Sequence, residues 1–583
     1  AVGYVEIAYR VAVANELAYH PAFIRQEQAL AELLLGRWDA ALATAFAVIA
    51  DRVGGIADGL ELPEAVLRVF GRGPRATLVL VRPDAVEGDR SLMRDGEQEA
   101  SLLGRHHVIA VEPEAQRSED LLAVGERVAV VGGGVSGLAT AHRLLRANPA
   151  LEVTVLESGP TTGGRLAAAT IGDLQLESGP DSFVARKPWA VDLCRELGLE
   201  LLEPGARDAF AWTTRGLVPL PRSALGIPTD VDEIARWPGL SRAGRVRALS
   251  DLVRRPRPPG ADESIGSLVR RRMGDGIADA LTGPLLGGLF AGDVDRLSVE
   301  ASFPELARWE RAFGSLIRGA RASLVAARDA GPMFLRPLGG VSRLPRALLQ
   351  TVGPARVRMG APVVAIGRDG AGFDVRTDTD RLAADAVVLA TPAFVASELV
   401  AGIAPRAAEV LGGIGYASTG VALLVYPEGT ADALPEATGF VVPRGRAPMT
   451  ACTFLSRKWP QADFGTRAVV RCFVGAVGFE DILDAPDEDI VQAVCRHLSA
   501  VLPLPDRAAA STVVRWPRSM PQFELGHLER VREIDASLPP GIVVAGNAYL
   551  GVGVADAVRS ADEAAERVRA HLAGEPVRSE NVR

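Results

Sequence analysis

Three glycines spaced as Gly132-x-Gly134-x-x-Gly137 imply chemistry more directly than any other residues of this chain. The first permits a tight turn, the second lets backbone approach a pyrophosphate, and the third lets a helix pack closely on a strand. With Gly133, Val135 and Ser136 between them, the amides of this loop would meet phosphate oxygens at the positive end of a helix. Glu157 lies twenty residues beyond Gly137 and is followed by Ser158; at that offset a carboxylate accepts hydrogen bonds from ribose hydroxyls. The chemistry implied is the binding of an adenine dinucleotide. The elements that must position these groups are legible on either side. Residues 127–131 (RVAVV) read as a strand buried on both faces of a parallel sheet. Leu138, Ala141, Leu144 and Leu145 recur at helical spacing, and residues 153–156 (VTVL) read as a second buried strand ending at Glu157.

The rest of the composition bounds the answer. The chain has 583 residues, 48% of them hydrophobic and 23% charged, with 64 Lys+Arg against 72 Asp+Glu and a formal net charge of −8. Those values exclude global disorder, collagen and coiled coil, and argue against a nucleic-acid partner. The cysteines Cys194, Cys452, Cys472 and Cys495 form no C-x-x-C pair and read as buried thiols in a reducing compartment. The seven histidines show no metal-ligand spacing, so no metal is expected. No secretory leader is recognised at Ala1, the apolar stretch 386–405 is interrupted by Pro392 and Glu398, and a cytoplasmic location is expected, with the N-terminus processed or incomplete.

The segment after Glu157 narrows the dinucleotide. Thr161-Thr162-Gly163-Gly164-Arg165-Leu166 resembles the GG-Arg motif of the large amine-oxidase-like FAD superfamily, and Arg165 would bring positive charge to the FAD pyrophosphate. Farther along come Glu177-Ser178-Gly179-Pro180-Asp181-Ser182-Phe183 with Arg186-Lys187, Gly226-Ile227-Pro228-Thr229 and Pro284-Leu285-Leu286-Gly287-Gly288-Leu289-Phe290-Ala291-Gly292-Asp293. They are followed by Ala451-Cys452-Thr453, Lys458-Trp459-Pro460, Arg515-Trp516, Met520-Pro521-Gln522-Phe523 and Gly526-His527. In this order they are similar to the oxygen-dependent porphyrinogen oxidases of haem synthesis, above all the bacterial coproporphyrinogen III oxidases, over about residues 126–572.

The resemblance implies an FAD-dependent oxidation of coproporphyrinogen III to coproporphyrin III by molecular oxygen, with six electrons removed and hydrogen peroxide released. It implies that Gly164 and Arg165 meet FAD, that Gly179, Pro180, Asp181 and Ser182 wrap its flavin end, and that Val363 holds the adenine by its backbone. Trp516 would lie near the flavin. Val552, Gly553 and Val554 would open a last helix whose amides face the flavin pyrimidine edge, which becomes anionic on reduction. Lys187 would meet a substrate propionate. No catalytic acid or base is singled out. The sequence departs from the family at Ala555, where proline is usual, and at Phe290, where tyrosine is frequent.

The fold class expected is α/β (α+β overall): a Rossmann-like FAD-binding domain of the amine-oxidase type, a mixed-sheet substrate domain, a helical subdomain and an N-terminal extension. The FAD domain is expected to be discontinuous, over 126–195, 335–392 and 536–575, with the substrate domain over 196–222 and 393–535 and the helical part over 223–334. Residues 1–125 carry no recognised motif; a helix over 30–50, a strand over 76–81 and a linker over 82–120 are expected there. The run Arg270–Arg272 reads as a solvated helix face. Two other readings stay open: protoporphyrinogen, an amine or a carotenoid as substrate, or a non-catalytic binding protein on the same fold. Later haem-pathway enzymes and peripheral membrane contact complete the expected partners.

Overall fold

The structure, a computed structural model, describes residues 66–70, 77–81, 125–258, 260–327 and 331–575. It falls into two compact units, 1–121 and 122–583. In the first, the described residues form one antiparallel pair, Val66–Phe70 (β1) and Thr77–Val81 (β2), with Val66 opposite Val81. The strand expected over 76–81 is therefore present, with a partner the sequence reading did not supply. The expected helix over 30–50 and linker over 82–120 lie outside the described residues.

In the second unit, the apolar run Arg127–Val131 (β3) passes through the glycine loop into Val135–Ala147 (α1), whose Leu138, Ala141 and Leu144 are wholly buried, and then to Glu152–Leu156 (β4). Three distant strands, Val357–Arg358 (β5), Ala386–Leu389 (β6) and Ile542–Val544 (β7), complete a five-stranded parallel sheet in the order β5-β4-β3-β6-β7. Burial on both faces explains why the central strands β3, β6 and β7 are nearly pure Val, Ala, Ile and Leu. The last helix, Val554–Leu572 (α2), joins the core on the α1 side, and its Ala557, Ala561, Ala564 and Ala565 give the small surface that lets two helices approach closely.

A second, mixed sheet has seven strands in the order 216–219, 210–213, 439–441, 449–454, 469–474, 416–425, 510–521. All its pairings are antiparallel except that between 439–441 and 210–213. Helices fill most of 231–326, around a core that includes Trp237, Leu268, Leu286, Trp309 and Phe523. Here the expectation for Arg270–Arg272 is corrected. Arg272 is 1% exposed and donates to Asp251, which is 0% exposed, through Nε at 2.6 Å, while Arg271 forks onto Glu310. Only Arg270 behaves as a surface cation, shared among Asp275, Asp279 and Asp295. The stretch 386–405 becomes β6 followed by the helix Ala393–Val400. No described helix is long and apolar enough to cross a membrane. The four cysteines are free and buried, and no metal-binding cluster occurs among the described residues.

His527, expected only as part of a motif, proves structural. It is buried, stacks on Phe523 with centroids 4.0 Å apart, and donates from Nε2 to the Tyr549 carbonyl at 2.8 Å, while Nδ1 has no partner. Burial pulls its pKa down from 6.5 to about 4. Between those values the unfolded chain takes up a proton that the folded chain refuses, so stability falls as pH drops from 6.5 towards 4. The loss from this group reaches about 3 kcal/mol. Unfolding followed against pH should show that extra proton uptake in the native protein and not in His527→Gln.

Candidate functional site

The site is built at the carboxyl ends of the parallel strands. Gly132 leaves β3 with φ +109°, and a Cβ there would sit 2.7 Å from the Ala390 carbonyl oxygen at the end of β6. The turn therefore needs glycine for two separate reasons. Gly134 caps α1 without any side-chain acceptor, and the first turn carries no acidic residue, so the amides of Val135, Ser136 and Gly137 remain free for an anion. Glu157 lies over Gly133, accepting its N–H at 2.7 Å through Oε2 and that of Gly159 at 2.7 Å through Oε1. Oε2 keeps a lone pair for a further donor. Ser158 only reaches Glu157, at 3.4 Å. The chain leading to Val363 is tied to the same place: Gly360 N–H donates to Gly159 O and Ala361 N–H to Glu157 O, each at 2.9 Å. Val363 itself is half-buried, beginning the strand Val363–Asp369.

The Gly163–Arg165 turn closes over the glycine loop. Gly163 N–H donates to Gly133 O at 2.9 Å, and a Cβ on Gly164 would lie 3.4 Å from Gly134 Cα. Arg165 is half-buried; desolvation lowers its pKa, it donates to the Arg518 carbonyl at 3.3 Å, and no carboxylate pairs with it among the described residues. A guanidinium left in that condition beside three free first-turn amides is the donor set a pyrophosphate requires. Next, a Cβ on Gly179 would fall 1.7 Å from Arg165 O, so the Ser178–Ser182 segment lies directly against this turn. Trp516 fixes that segment from the seven-stranded sheet, donating from Nε1 to Ser178 O at 2.9 Å.

The second helix start arrives from the far end of the chain. Gly546 sits within 3.7 Å of Ser136 Oγ by its Cβ direction and is held by Ser560, while Arg143 on α1 donates to Asp562 on α2 at 2.6 Å. The two glycine-led helices thus stand side by side. Gly553 caps α2, its N–H meeting Asp556 Oδ2 at 3.2 Å, and Val552 and Val554 flank it with Val552 half-buried.

Two expectations change in detail. The Asp181 carboxylate points inward, bonded to Lys458 Nζ, Trp459 Nε1 and Arg471. Burial pushes its pKa up, but the Lys458 and Arg471 charges more than offset this and hold it well below the usual carboxylate range. Any contact of Asp181 with a cofactor is therefore by backbone; Pro180 offers no donor. Lys187, expected to face a substrate carboxylate, holds both Asp556 oxygens at 2.7 Å, with its own side chain 45% exposed and that of Asp556 7%. Sequence reasoning missed Thr391, whose buried hydroxyl has no partner and follows β6 beside Gly132, and Arg518, whose guanidinium lies 3.5 Å over Phe394 with φ +43°. The signal for Thr391 was its position just past a buried parallel strand, where ligands of such sheets bind.

Residues 135–569 match the family model described as flavin containing amine oxidoreductase. The chain belongs to that family. A coproporphyrinogen III oxidase of Bacillus subtilis is 31% identical over 452 residues, covering 74% of this chain and 96% of the relative. One of Mycobacterium bovis is 34% identical over 454 residues, covering 75% and 96%. Among solved structures, a protein of Exiguobacterium sp. 255-15 provisionally titled a protoporphyrinogen oxidase is 32% identical, with a TM-score of 0.69 over 76% of this chain and 98% of that one. The cofactor of this flavin-containing fold is FAD, and the unpaired Arg165, the empty direction at Gly134 and the free first-turn amides fit it.

Proposed function

We propose that this flavoprotein oxidises coproporphyrinogen III to coproporphyrin III with molecular oxygen, losing six hydrogens to three molecules of oxygen and releasing three of hydrogen peroxide. The observation that carries the reading is 31–34% identity to coproporphyrinogen III oxidases across 96% of their length, together with a complete cradle for the cofactor. Bound FAD supplies the two-electron acceptor and the link to oxygen. The chain's part is to bind and orient. Gly132, Gly133, Gly134, Val135, Ser136, Gly137, Gly164 and Arg165 hold the pyrophosphate; Glu157, Ser158 and Val363 serve the adenosine end. The Gly179–Ser182 backbone, Trp516 and the Val552–Val554 turn flank the flavin. Each two-electron step takes a hydride and a proton from the macrocycle; the hydride would go to FAD, the proton passes to solvent, and no side chain is assigned as its acceptor.

Lys187 retains one N–H after Asp556 takes two, so it can share its charge with a substrate carboxylate. Lys187→Ala should raise KM for coproporphyrinogen severalfold and also loosen FAD, by stranding the buried Asp556. An unchanged KM with loosened FAD would leave Lys187 only its role at α2. The Exiguobacterium structure favours a second reading, protoporphyrinogen as substrate. Supplying each porphyrinogen separately under air and following porphyrin fluorescence distinguishes them: coproporphyrinogen should be turned over with the higher kcat/KM, and no porphyrin from either would overturn the reading.

A further inference from the structure

The Lys458-Trp459 motif is not used by the binding scheme above, yet it is among the most deeply buried parts of the molecule. Trp459 is 0% exposed and Lys458 8%. Around them are Arg471 at 3%, Arg336 at 7%, Asp181 at 5% and Glu177 at 7%. Lys458 donates to both oxygens of Asp181, at 3.2 and 3.0 Å, and to Ser182 Oγ at 3.2 Å. Arg471 donates to Gly179 O at 2.6 Å. Arg336 lies 4.2 Å over the Trp459 ring and forms no ion pair among the described residues, and its Nε has no acceptor. Glu177 is turned to Ser342, with one oxygen unpartnered.

Two consequences follow from this arrangement. The carbonyls of Ser178 and Gly179 are held by Trp516 and Arg471, and the Asp181 side chain by three more donors. The segment is thereby clamped from the seven-stranded sheet, while the N–H groups of Gly179 and Asp181 find no acceptor among the described residues. Second, three cations face two carboxylates, leaving one positive charge in excess inside the protein. The segment runs from the Arg165 turn, against the pyrophosphate loop, to Lys187 on the start of α2, so it spans the gap between the two helix starts. The flavin end of the cofactor would lie in that gap.

We infer that Lys458, Arg471 and Arg336 are positioning residues that clamp Ser178–Ser182 and, through their excess charge, raise the reduction potential of the bound flavin. Uptake of two electrons and one proton makes the flavin an anion, and a buried cation behind it favours that form. One unit charge roughly 10 Å away, at an effective dielectric of about 20, changes the ratio of reduced to oxidised flavin by roughly tenfold, about 30 mV for a two-electron couple.

The test equilibrates the FAD-loaded protein with a reference dye under argon, without porphyrinogen, so its outcome is independent of which substrate the enzyme takes. Arg336→Met breaks no ion pair and should lower the ratio of reduced to oxidised flavin about tenfold while FAD stays bound. Asp181→Asn removes a negative charge and should shift the ratio the opposite way; Lys458→Met should shift it as Arg336→Met does. The double variant Lys458→Met/Asp181→Asn should return close to the native ratio with its packing restored. An unchanged ratio in Arg336→Met, or shifts of the same sign in Asp181→Asn and Lys458→Met, overturns the inference, because loosened packing alone would move both in one direction.

Discussion

Gly134→Ala should give a protein that folds as well as the native apoprotein yet holds no FAD, whereas Gly137→Ala should lose both. The contrast comes from what a methyl group would meet. At Gly134, no protein atom lies within 4 Å of the added Cβ, and φ is −72°, which alanine adopts freely. The space is open to the pyrophosphate alone, so only binding suffers, by 100-fold or more at a cost of about 3 kcal/mol. At Gly137, the Cβ would fall 1.9 Å from the Gly132 carbonyl oxygen and 3.2 Å from Ala390 Cβ. Those are the ends of β3 and β6, which cannot yield without moving α1 off the sheet, and overpacking of this kind costs about 1–3 kcal/mol or more. Thermal unfolding of the two apoproteins and flavin absorbance after gel filtration are the measurements. A yellow Gly134→Ala protein would remove the cradle from the glycine loop.

Asp251→Ala should be the most destabilising charge deletion in the molecule. Its carboxylate accepts from Arg272 Nε at 2.6 Å, Ser315 Oγ at 2.5 Å and Ile317 N–H at 2.9 Å, and neither Asp251 nor Arg272 sees solvent. Removing the acid leaves the buried guanidinium with only the longer contact to Glu310, at 3.4 Å, a loss of about 3–5 kcal/mol. Arg272 also donates to the carbonyls of Asp251 and Gly314, so the pair ties together the chain at 251, 272 and 314. Limited proteolysis should open the helical stretch 231–326 first, with the flavin still bound to the parallel-sheet core. Asp251→Leu combined with Arg272→Met should recover most of the loss, since an apolar pair of similar volume avoids the desolvation of two ions. Equal susceptibility of that double variant and Asp251→Ala would show that the loss is one of shape rather than charge.

What could be read beforehand was what is local. β3, α1 and β4 were legible because each is a short run whose own residues declare burial or helical period, and the glycine loop because its spacing is a backbone requirement. The strand Met449–Phe454 was not: its Thr450, Ala451 and Thr453 are only half-buried, so neither alternation nor a continuous apolar run appears. The Gly216–Pro219 strand is four residues long and ends in proline. Long-range polar pairs left no local trace at all. Lys458 finds Asp181 across 277 residues and Lys187 finds Asp556 across 369, so a cation read as a surface or substrate group turned out to complete a buried carboxylate. Arg272 illustrates the same blindness over 21 residues.

The order of strands in the parallel sheet also governs biosynthesis. β3 and β4 leave the ribosome adjacent to each other, but β6 follows β4 by some 230 residues and β7 follows β6 by about 150 more. Until then one side of β3 is an unpaired edge made of Val and Ala, a template for any other extended chain. The dinucleotide cradle is finished only when α2 has docked, so the nascent polypeptide extends by some 255 residues with the β3 edge open and its prosthetic group unable to guard it.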